Sequence, residues 1–180
     1  FCEERDIRLE KLRAPEQIAS ALATVASQYG GSEIRPYFQS SMFAPNENWG
    51  TGLANAVRAI GLDVPWRTES RVDALTPETI ACLAEAGMKV LDLGFETASP
   101  TQILNMRKSR NPDRYLERAS TLLRACGDHG IAAKVNVLLY AGETTRTFDE
   151  TRSFLDEHKG SIAGVSVGPV VAYGPPKIAD

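Results

Sequence analysis

An apolar segment in the middle of this chain ends with a carboxylate. The segment KVLDLGFE runs from residue 89 to Glu96 and has the composition of a buried strand. A charge at the end of such a strand costs several kcal/mol unless another group pairs with it. The partner of Glu96 is therefore either a bound ligand or a group of the chain itself, namely Arg71, Lys108 or the helix predicted after Ser99.

Three further charged residues alternate along another predicted strand. Arg67, Glu69 and Arg71 stand two residues apart in the segment VPWRTESRVD, so their side chains project from one face. That face either lines a polar cavity or belongs to a strand at the edge of the sheet. Glu69 and Arg71 are therefore candidate site residues.

A basic residue that could bind an anion follows a short predicted helix. Lys108 comes after ILNMR, and Arg107 and Arg110 stand beside it. These cations predict either an anion-binding side chain at Lys108 or a turn whose charges are solvated.

The candidate residues lie on elements that alternate between strand and helix. Helices are predicted at about residues 15–29, 52–61, 75–87, 99–108, 111–130 and 144–160. Strands are predicted at about residues 33–43, 64–73, 88–96, 131–140 and 162–174, and the fourth is apolar enough to be buried on both faces. Five strands separated by helices imply an α/β fold with a parallel sheet, either open and doubly wound or a β/α barrel. In both, ligands bind at the carboxyl ends of the strands, where Glu96 lies.

Composition excludes several classes of protein. The 180 residues are 43% hydrophobic and 24% charged, which is ordinary for one globular domain. A net charge of −3 argues against a nucleic-acid-binding face, and no apolar run approaches the roughly 20 residues that span a membrane. Three scattered cysteines indicate a reduced, cytoplasmic protein rather than a disulfide framework, with Cys82 and Cys126 as core residues. The first and last residues predict a piece of a longer chain, cut at both ends.

Several short motifs follow one another in a recognisable order. They are R-x-D at Arg71 and Asp73, AG at 86–87, L-x-L-G-x-E-T-x-S at 91–99, M-x-K at Met106 and Lys108, GI at 130–131 and GET at 142–144. In this order the chain resembles the radical S-adenosylmethionine (SAM) superfamily over nearly its whole length. There is no G-x-G-x-x-G motif and no P-loop, which leaves little support for an unrelated nucleotide-binding protein.

The resemblance implies a fold and an activity. Residues 1–180 would form a radical SAM core domain, a partial (β/α)6 barrel with five of its six strands, the first lying before residue 1. Cys2 would be the third cysteine of a C-x-x-x-C-x-x-C motif that holds a 4Fe-4S cluster. The cluster would cleave SAM reductively to a 5′-deoxyadenosyl radical, which abstracts hydrogen from an unknown substrate. The alternative is a non-catalytic barrel relative that lost the cluster and acts as a binding or scaffold module.

The resemblance also implies contacts with SAM. Glu96 and Glu69 would contact SAM, Lys108 would pair with its carboxylate, and Arg71 belongs to the same signature. Three further positions correspond to contacts of the amino group, the ribose and the adenine, in that order: Ser40, Asn136 and Leu138. Asn136 and Tyr140 stand where the family has glycine, and Glu143 is expected to fix a turn.

Further partners follow from the same resemblance. It implies an external electron donor of the flavodoxin or ferredoxin type and a small-molecule or peptide substrate. A cobalamin-binding domain often precedes this signature, so cobalamin is a possible second cofactor bound outside these residues. No nucleic acid and no membrane are expected as partners.

Overall fold

A computed structural model describes residues 12–30, 35–40 and 43–171 of the chain. The described helices are α1 (Pro15–Tyr29), α2 (Glu47–Ala59), α3 (Pro77–Glu85), α4 (Pro100–Asn105), α5 (Pro112–Asp128) and α6 (Thr145–Glu157). The described strands are β1 (Tyr37–Phe38), β2 (Trp66–Arg71), β3 (Met88–Glu96), β4 (Ala132–Leu139) and β5 (Ile162–Pro169). Helices and strands follow one another in the predicted order, including the two consecutive helices α4 and α5.

The five strands form one parallel sheet in the order β1-β2-β3-β4-β5. A doubly wound sheet reverses its strand order at a switch point, whereas a β/α barrel adds each strand beside the one before it. The order without reversal therefore confirms the predicted partial barrel. In the described part of the chain the sheet is open, with β1 and β5 at its edges.

One face of the sheet packs against the helices and forms the core. On β2 and β3, buried side chains alternate with more exposed or charged ones, as expected for a sheet whose two faces differ. The largest fully buried side chains of the core are Trp66, Tyr115, Phe95, Leu53, Ile80, Leu83, Met88, Leu91, Leu93, Ile103 and Leu122. β4 alternates too, so the prediction that it is buried on both faces is wrong. Lys134 and Asn136 lie on its less buried face, opposite the helices.

Local signals set most helix ends. At α3 the Thr79 N–H donates to Oγ1 of Thr76, Pro77 occupies the first turn, and Gly87 follows with φ of 96°. A side chain at Gly87 would also approach the Val64 carbonyl oxygen to 2.9 Å. These features agree with the predicted helix over 75–87.

The predicted boundaries of α2 and β1 differ from the structure by several residues. α2 begins at Glu47 rather than Gly52, because the Asn46 side chain accepts a hydrogen bond from the Trp49 N–H and caps the helix. Of the strand predicted at 33–43, only Tyr37 and Phe38 pair with β2 among the described residues. No helix in the described ranges has the length and apolar character needed to cross a bilayer.

Candidate functional site

Glu96 and Lys108 form a buried ion pair at the carboxyl end of β3. The Lys108 ammonium lies 2.8 Å from Oε1 of Glu96, and the two side chains are only 6% and 10% exposed. Glu96 thus has a partner within the chain, as one of the alternatives predicted. The alternative of a solvated basic turn at Lys108 is wrong, because its side chain is buried.

The backbone at Glu96 is held in an unfavourable conformation. Glu96 has φ of 72°, a value that a residue with a side chain adopts at a cost of about 1–3 kcal/mol. The Thr97 N–H donates to the Phe95 carbonyl at 3.0 Å, which makes Glu96 the central residue of a γ-turn with positive φ. The register between β3 and β4 shifts at this point, between Gly94 and Glu96. The turn redirects the Glu96 side chain as the strand ends.

The backbone before Lys108 is also left-handed. The Arg107 N–H donates to the Leu104 carbonyl and the Lys108 N–H to the Ile103 carbonyl, each at 2.9 Å, with Arg107 at φ of 52°. This is the Schellman pattern that ends many helices, and its left-handed position usually holds glycine. The motif ends α4 before residue 108, earlier than predicted, and places Lys108 just beyond the helix. Glu96 and Arg107 are the two non-glycine residues with positive φ in the described ranges.

Gly94 provides the space for the ion pair. A Cβ at this position would lie 3.2 Å from Oε1 of Glu96 and 3.8 Å from Nζ of Lys108. The first distance is shorter than ordinary van der Waals contact, so a larger residue would displace the carboxylate. The space that the ion pair needs therefore explains the glycine of the L-x-L-G-x-E motif.

Arg71 holds the main chain at Lys108. Its guanidinium donates to both carboxylate oxygens of Asp73, at 2.8 and 2.9 Å, and to the Lys108 carbonyl at 3.2 Å. Burial alone would raise the pKa of Asp73, but the hydrogen bonds and charge of Arg71 lower it on balance. The hydrogen bond to Asp73 likewise raises the pKa of Arg71. Direct contact of Arg71 with a ligand stays a prediction.

Tyr115 holds the main chain on the other side of the pair. Its buried hydroxyl donates to the Phe95 carbonyl at 2.6 Å, which is the oxygen that closes the γ-turn. Burial, together with the negative charges of Glu96 and Asp73, raises the pKa of Tyr115 well above its ordinary value. Tyr115 therefore stays a protonated donor. No signal in the sequence indicated this contact, which depends on the position of the start of α5 beside the end of β3.

The charged residues of β2 belong to a polar face of the sheet. Nη2 of Arg67 lies 2.5 Å from Oδ2 of Asp92 in β3, and Nζ of Lys134 in β4 lies 3.7 Å from Oδ1 of the same carboxylate. Glu69 stands in register with Asp92. Partial desolvation and a hydrogen bond to the Glu69 carboxylate raise the pKa of Tyr37 to about 12. Because β2 pairs with a strand on each side, the alternative of an edge strand is wrong.

The other predicted ligand contacts lie on the strand ends around the pair. Asn136 is in register with Gly94, so its half-buried side chain is next to the space that the pair occupies. Leu138 and Glu96 both line a cavity of about 150 Å³ between α6 and the ends of β3 to β5. Ser40 lies two residues after β1 and is half-buried.

Threonines of α6 fix the turn that follows Glu96. Oγ1 of Thr151 lies 3.0 Å from that of Thr97 and accepts a hydrogen bond from the Ala98 N–H. Thr147, one helical turn earlier, donates to the Glu143 carboxylate at 2.6 Å, in keeping with the predicted structural role of Glu143. The spacing of the two threonines marks one helix face, but sequence reasoning did not connect that face to the site.

The described cysteines do not suit an iron–sulfur cluster. Cys126 is fully buried, which raises the pKa of its thiol to about 12, and Sγ of Cys82 lies 3.3 Å from the Thr51 hydroxyl. Both lie in helices, but only Cys126 is a buried core residue as predicted, since Cys82 is half-buried. A cluster needs thiolates. Within the described ranges no three His, Cys, Asp or Glu side chains are grouped to hold a metal. Cys2 lies outside the described residues, so its predicted role is untested.

Comparison with known proteins identifies the architecture. No protein-family model matches the chain. An uncharacterized methyltransferase from Pyrococcus horikoshii is 23% identical over 139 residues, which are 77% of this chain and 29% of that protein. TsrM from Kitasatospora setae is a radical SAM methyltransferase solved with cobalamin and a 4Fe-4S cluster. It matches with a TM-score of 0.62 and 18% identity, over 87% of this chain and 29% of its own.

A second solved structure gives the same result. Coproporphyrinogen III oxidase (HemN) from Escherichia coli, a radical SAM enzyme, matches with a TM-score of 0.62 and 15% identity. The match covers 87% of this chain and 36% of HemN. The chain thus spans about a third or less of the length of these relatives. Its open parallel sheet and surrounding helices have the core fold of radical SAM enzymes.

Proposed function

We propose that this chain is the core domain of a radical SAM enzyme and that Glu96 and Lys108 bind the methionyl part of SAM. One observation carries the proposal: opposite charges are buried together at the carboxyl end of the sheet, with left-handed backbone at Glu96 and at Arg107, directly before Lys108. A buried ion pair is seldom favoured over apolar residues for stability alone. Strained backbone is typical of functional sites. In the fold shared with radical SAM enzymes, this end of the sheet is where ligands bind.

The charges of the pair complement those of the ligand. The methionyl group of SAM carries an ammonium and a carboxylate, so Glu96 can accept from the first and Lys108 can donate to the second. Binding then exchanges one internal ion pair for two pairs with the ligand, and neither buried charge is left without a partner. A pair of residues without these opposite charges would form no ion pairs with the zwitterionic ligand.

Other residues contribute to the nucleoside part of the proposed site. Leu138 offers an apolar surface to adenine beside Glu96, and Asn136 offers an amide to the ribose hydroxyls. Glu69 and Ser40 remain predicted polar contacts at the ends of neighbouring strands.

When bound, a 4Fe-4S cluster would supply the electron for the cleavage of SAM to methionine and a 5′-deoxyadenosyl radical, which would abstract hydrogen from the substrate. We assign Cys2 to one iron of that cluster, with two further thiolates expected upstream. The electron donor would be a flavodoxin or ferredoxin and the setting a reduced cytoplasm. The methyltransferase names of two relatives make methyl transfer to a small molecule or peptide a candidate outcome. Cobalamin would then be bound by a domain outside this chain.

Reductive cleavage of SAM tests the proposal. The full-length protein is reconstituted with iron and sulfide without oxygen, reduced with dithionite and incubated with SAM. We expect 5′-deoxyadenosine from the wild type and at least about tenfold less from Lys108→Met, because the ligand carboxylate loses its cation. Arg58→Met serves as a control, because Arg58 forms an exposed ion pair with Glu85 on the helical surface.

The same assay separates the proposal from its alternative. A binding or scaffold relative would retain no iron after reconstitution and would form no 5′-deoxyadenosine. A protein that holds a full cluster but yields no 5′-deoxyadenosine would contradict the catalytic proposal.

A further inference from the structure

We infer that Arg71 and Tyr115 are positioning residues that hold Lys108 and Glu96 as a preformed pair of opposite charges for a zwitterionic ligand. This inference rests on the proposed function, because the ligand in question is the methionyl group of SAM. It concerns residues that need not touch the ligand.

The first of the two positioning residues, Arg71, acts on Lys108. Arg71 donates to the Lys108 carbonyl at 3.2 Å while Asp73 holds the guanidinium through two hydrogen bonds. A planar guanidinium that donates from Nε and Nη2 to one carboxylate, and from Nη2 also to a carbonyl, has little freedom to turn. The main chain that carries the ammonium is therefore tied to the end of β2, and the left-handed Arg107 before it is held in place.

The second positioning residue, Tyr115, acts on Glu96. Tyr115 donates to the Phe95 carbonyl at 2.6 Å, and the same oxygen accepts the Thr97 N–H across the γ-turn. A γ-turn with positive φ is strained and persists only where its surroundings hold it. The tyrosine comes from α5, so a helix of the core determines where the carboxylate points.

Arg71 and Tyr115, the two anchors of the pair, both act on left-handed backbone. They fix the main chain beside the two left-handed non-glycine residues of the described ranges, and these residues carry or precede the two members of the pair. Without the anchors, Glu96 and Arg107 would relax toward ordinary backbone conformations and the charges would move apart. A site held in this way binds its ligand without first ordering its own groups.

Two nucleosides that differ only in the amino-acid part provide the test. S-adenosylhomocysteine carries the amino and carboxylate groups, whereas 5′-methylthioadenosine lacks both and keeps the adenosine and the thioether. Their dissociation constants are measured by equilibrium dialysis with the anaerobically reconstituted full-length protein. The variants are Tyr115→Phe, which removes only the hydroxyl, and Arg71→Lys, which keeps the charge and loses the paired hydrogen bonds.

Ser70→Ala is the matched control. It also removes a buried hydroxyl that donates to a main-chain carbonyl at 2.6 Å, that of Phe43, but on the opposite face of β2. We expect Tyr115→Phe and Arg71→Lys each to weaken S-adenosylhomocysteine binding about tenfold and methylthioadenosine binding less than about twofold. Ser70→Ala should leave the ratio of the two constants unchanged.

Each remaining outcome decides the matter. Variants that weaken both nucleosides equally, or neither, overturn the positioning role while leaving the proposed function in place. A wild type that binds the two nucleosides equally overturns the proposed function and this inference together. If Tyr115→Phe does not fold, Arg71→Lys gives the result alone.

Discussion

Removing the Lys108 ammonium should destabilise the protein far more than removing a cation from its surface. In Lys108→Met the aliphatic stem is kept, but the Glu96 carboxylate loses its partner at 2.8 Å in a site where its side chain is 10% exposed. Breaking a buried pair from one side costs about 3–5 kcal/mol. Arg58→Met removes one member of an ion pair whose side chains are 65% exposed, which should cost at most about 1 kcal/mol.

A double-mutant cycle isolates the pair itself. Glu96→Gln keeps the size and left-handed backbone of residue 96 but removes its charge, so Glu96→Gln/Lys108→Met leaves no buried ion. The double variant should therefore be more stable than the sum of the single changes predicts, by about 2 kcal/mol. Free energies of unfolding are measured by urea titration at pH 7, followed by far-ultraviolet circular dichroism. A cost below about 1 kcal/mol for Lys108→Met, or additive single changes, would refute the buried pair.

Three further predictions concern the surroundings of the pair. Gly94→Ala should lower the unfolding free energy by about 1 kcal/mol because its Cβ would press on the Glu96 carboxylate at 3.2 Å; a stabilised variant in the urea titration would contradict this. Arg107→Gly should be about 1 kcal/mol more stable than Arg107→Ala, because φ at 107 is 52°; equal urea midpoints would count against the left-handed turn. The pKa of Asp73 is lowered in the folded protein. The Asp73 carboxylate therefore stabilises the fold above the pKa of the unfolded chain, about 3.9, and this stabilisation is lost as pH falls through the lower pKa of the folded state. The difference in unfolding free energy between wild type and Asp73→Asn should thus be largest at neutral pH and shrink below about pH 4, and a difference independent of pH would contradict the ion pair.

The elements that local chemistry determines were predictable from the sequence. β3 has the predicted bounds, and α3 begins and ends where Thr76, Pro77 and Gly87 indicate, because caps and glycine turns act within a few residues. The sheet order was not derivable from alternation alone, since a doubly wound sheet has the same alternation. Only the pairing of each strand with its sequence neighbours decides it.

That Glu96 needs a partner was predictable from the sequence, but the contacts around it were not. Glu96 was expected to need a partner, and both Arg71 and Lys108 were candidates. The choice depends on two left-handed residues, Glu96 and Arg107, and neither is a glycine that would mark such a conformation in the sequence. Arg71 instead binds Asp73, two residues further on, and Tyr115 reaches the site only because α5 packs beside β3.

A structure of the reconstituted full-length protein with S-adenosylhomocysteine bound would test the central claim most directly. The account predicts that the ligand ammonium lies within hydrogen-bonding distance of the Glu96 carboxylate and the ligand carboxylate within that distance of the Lys108 ammonium. A bound nucleoside whose amino-acid part lies elsewhere, with Glu96 and Lys108 still paired to each other, would contradict it.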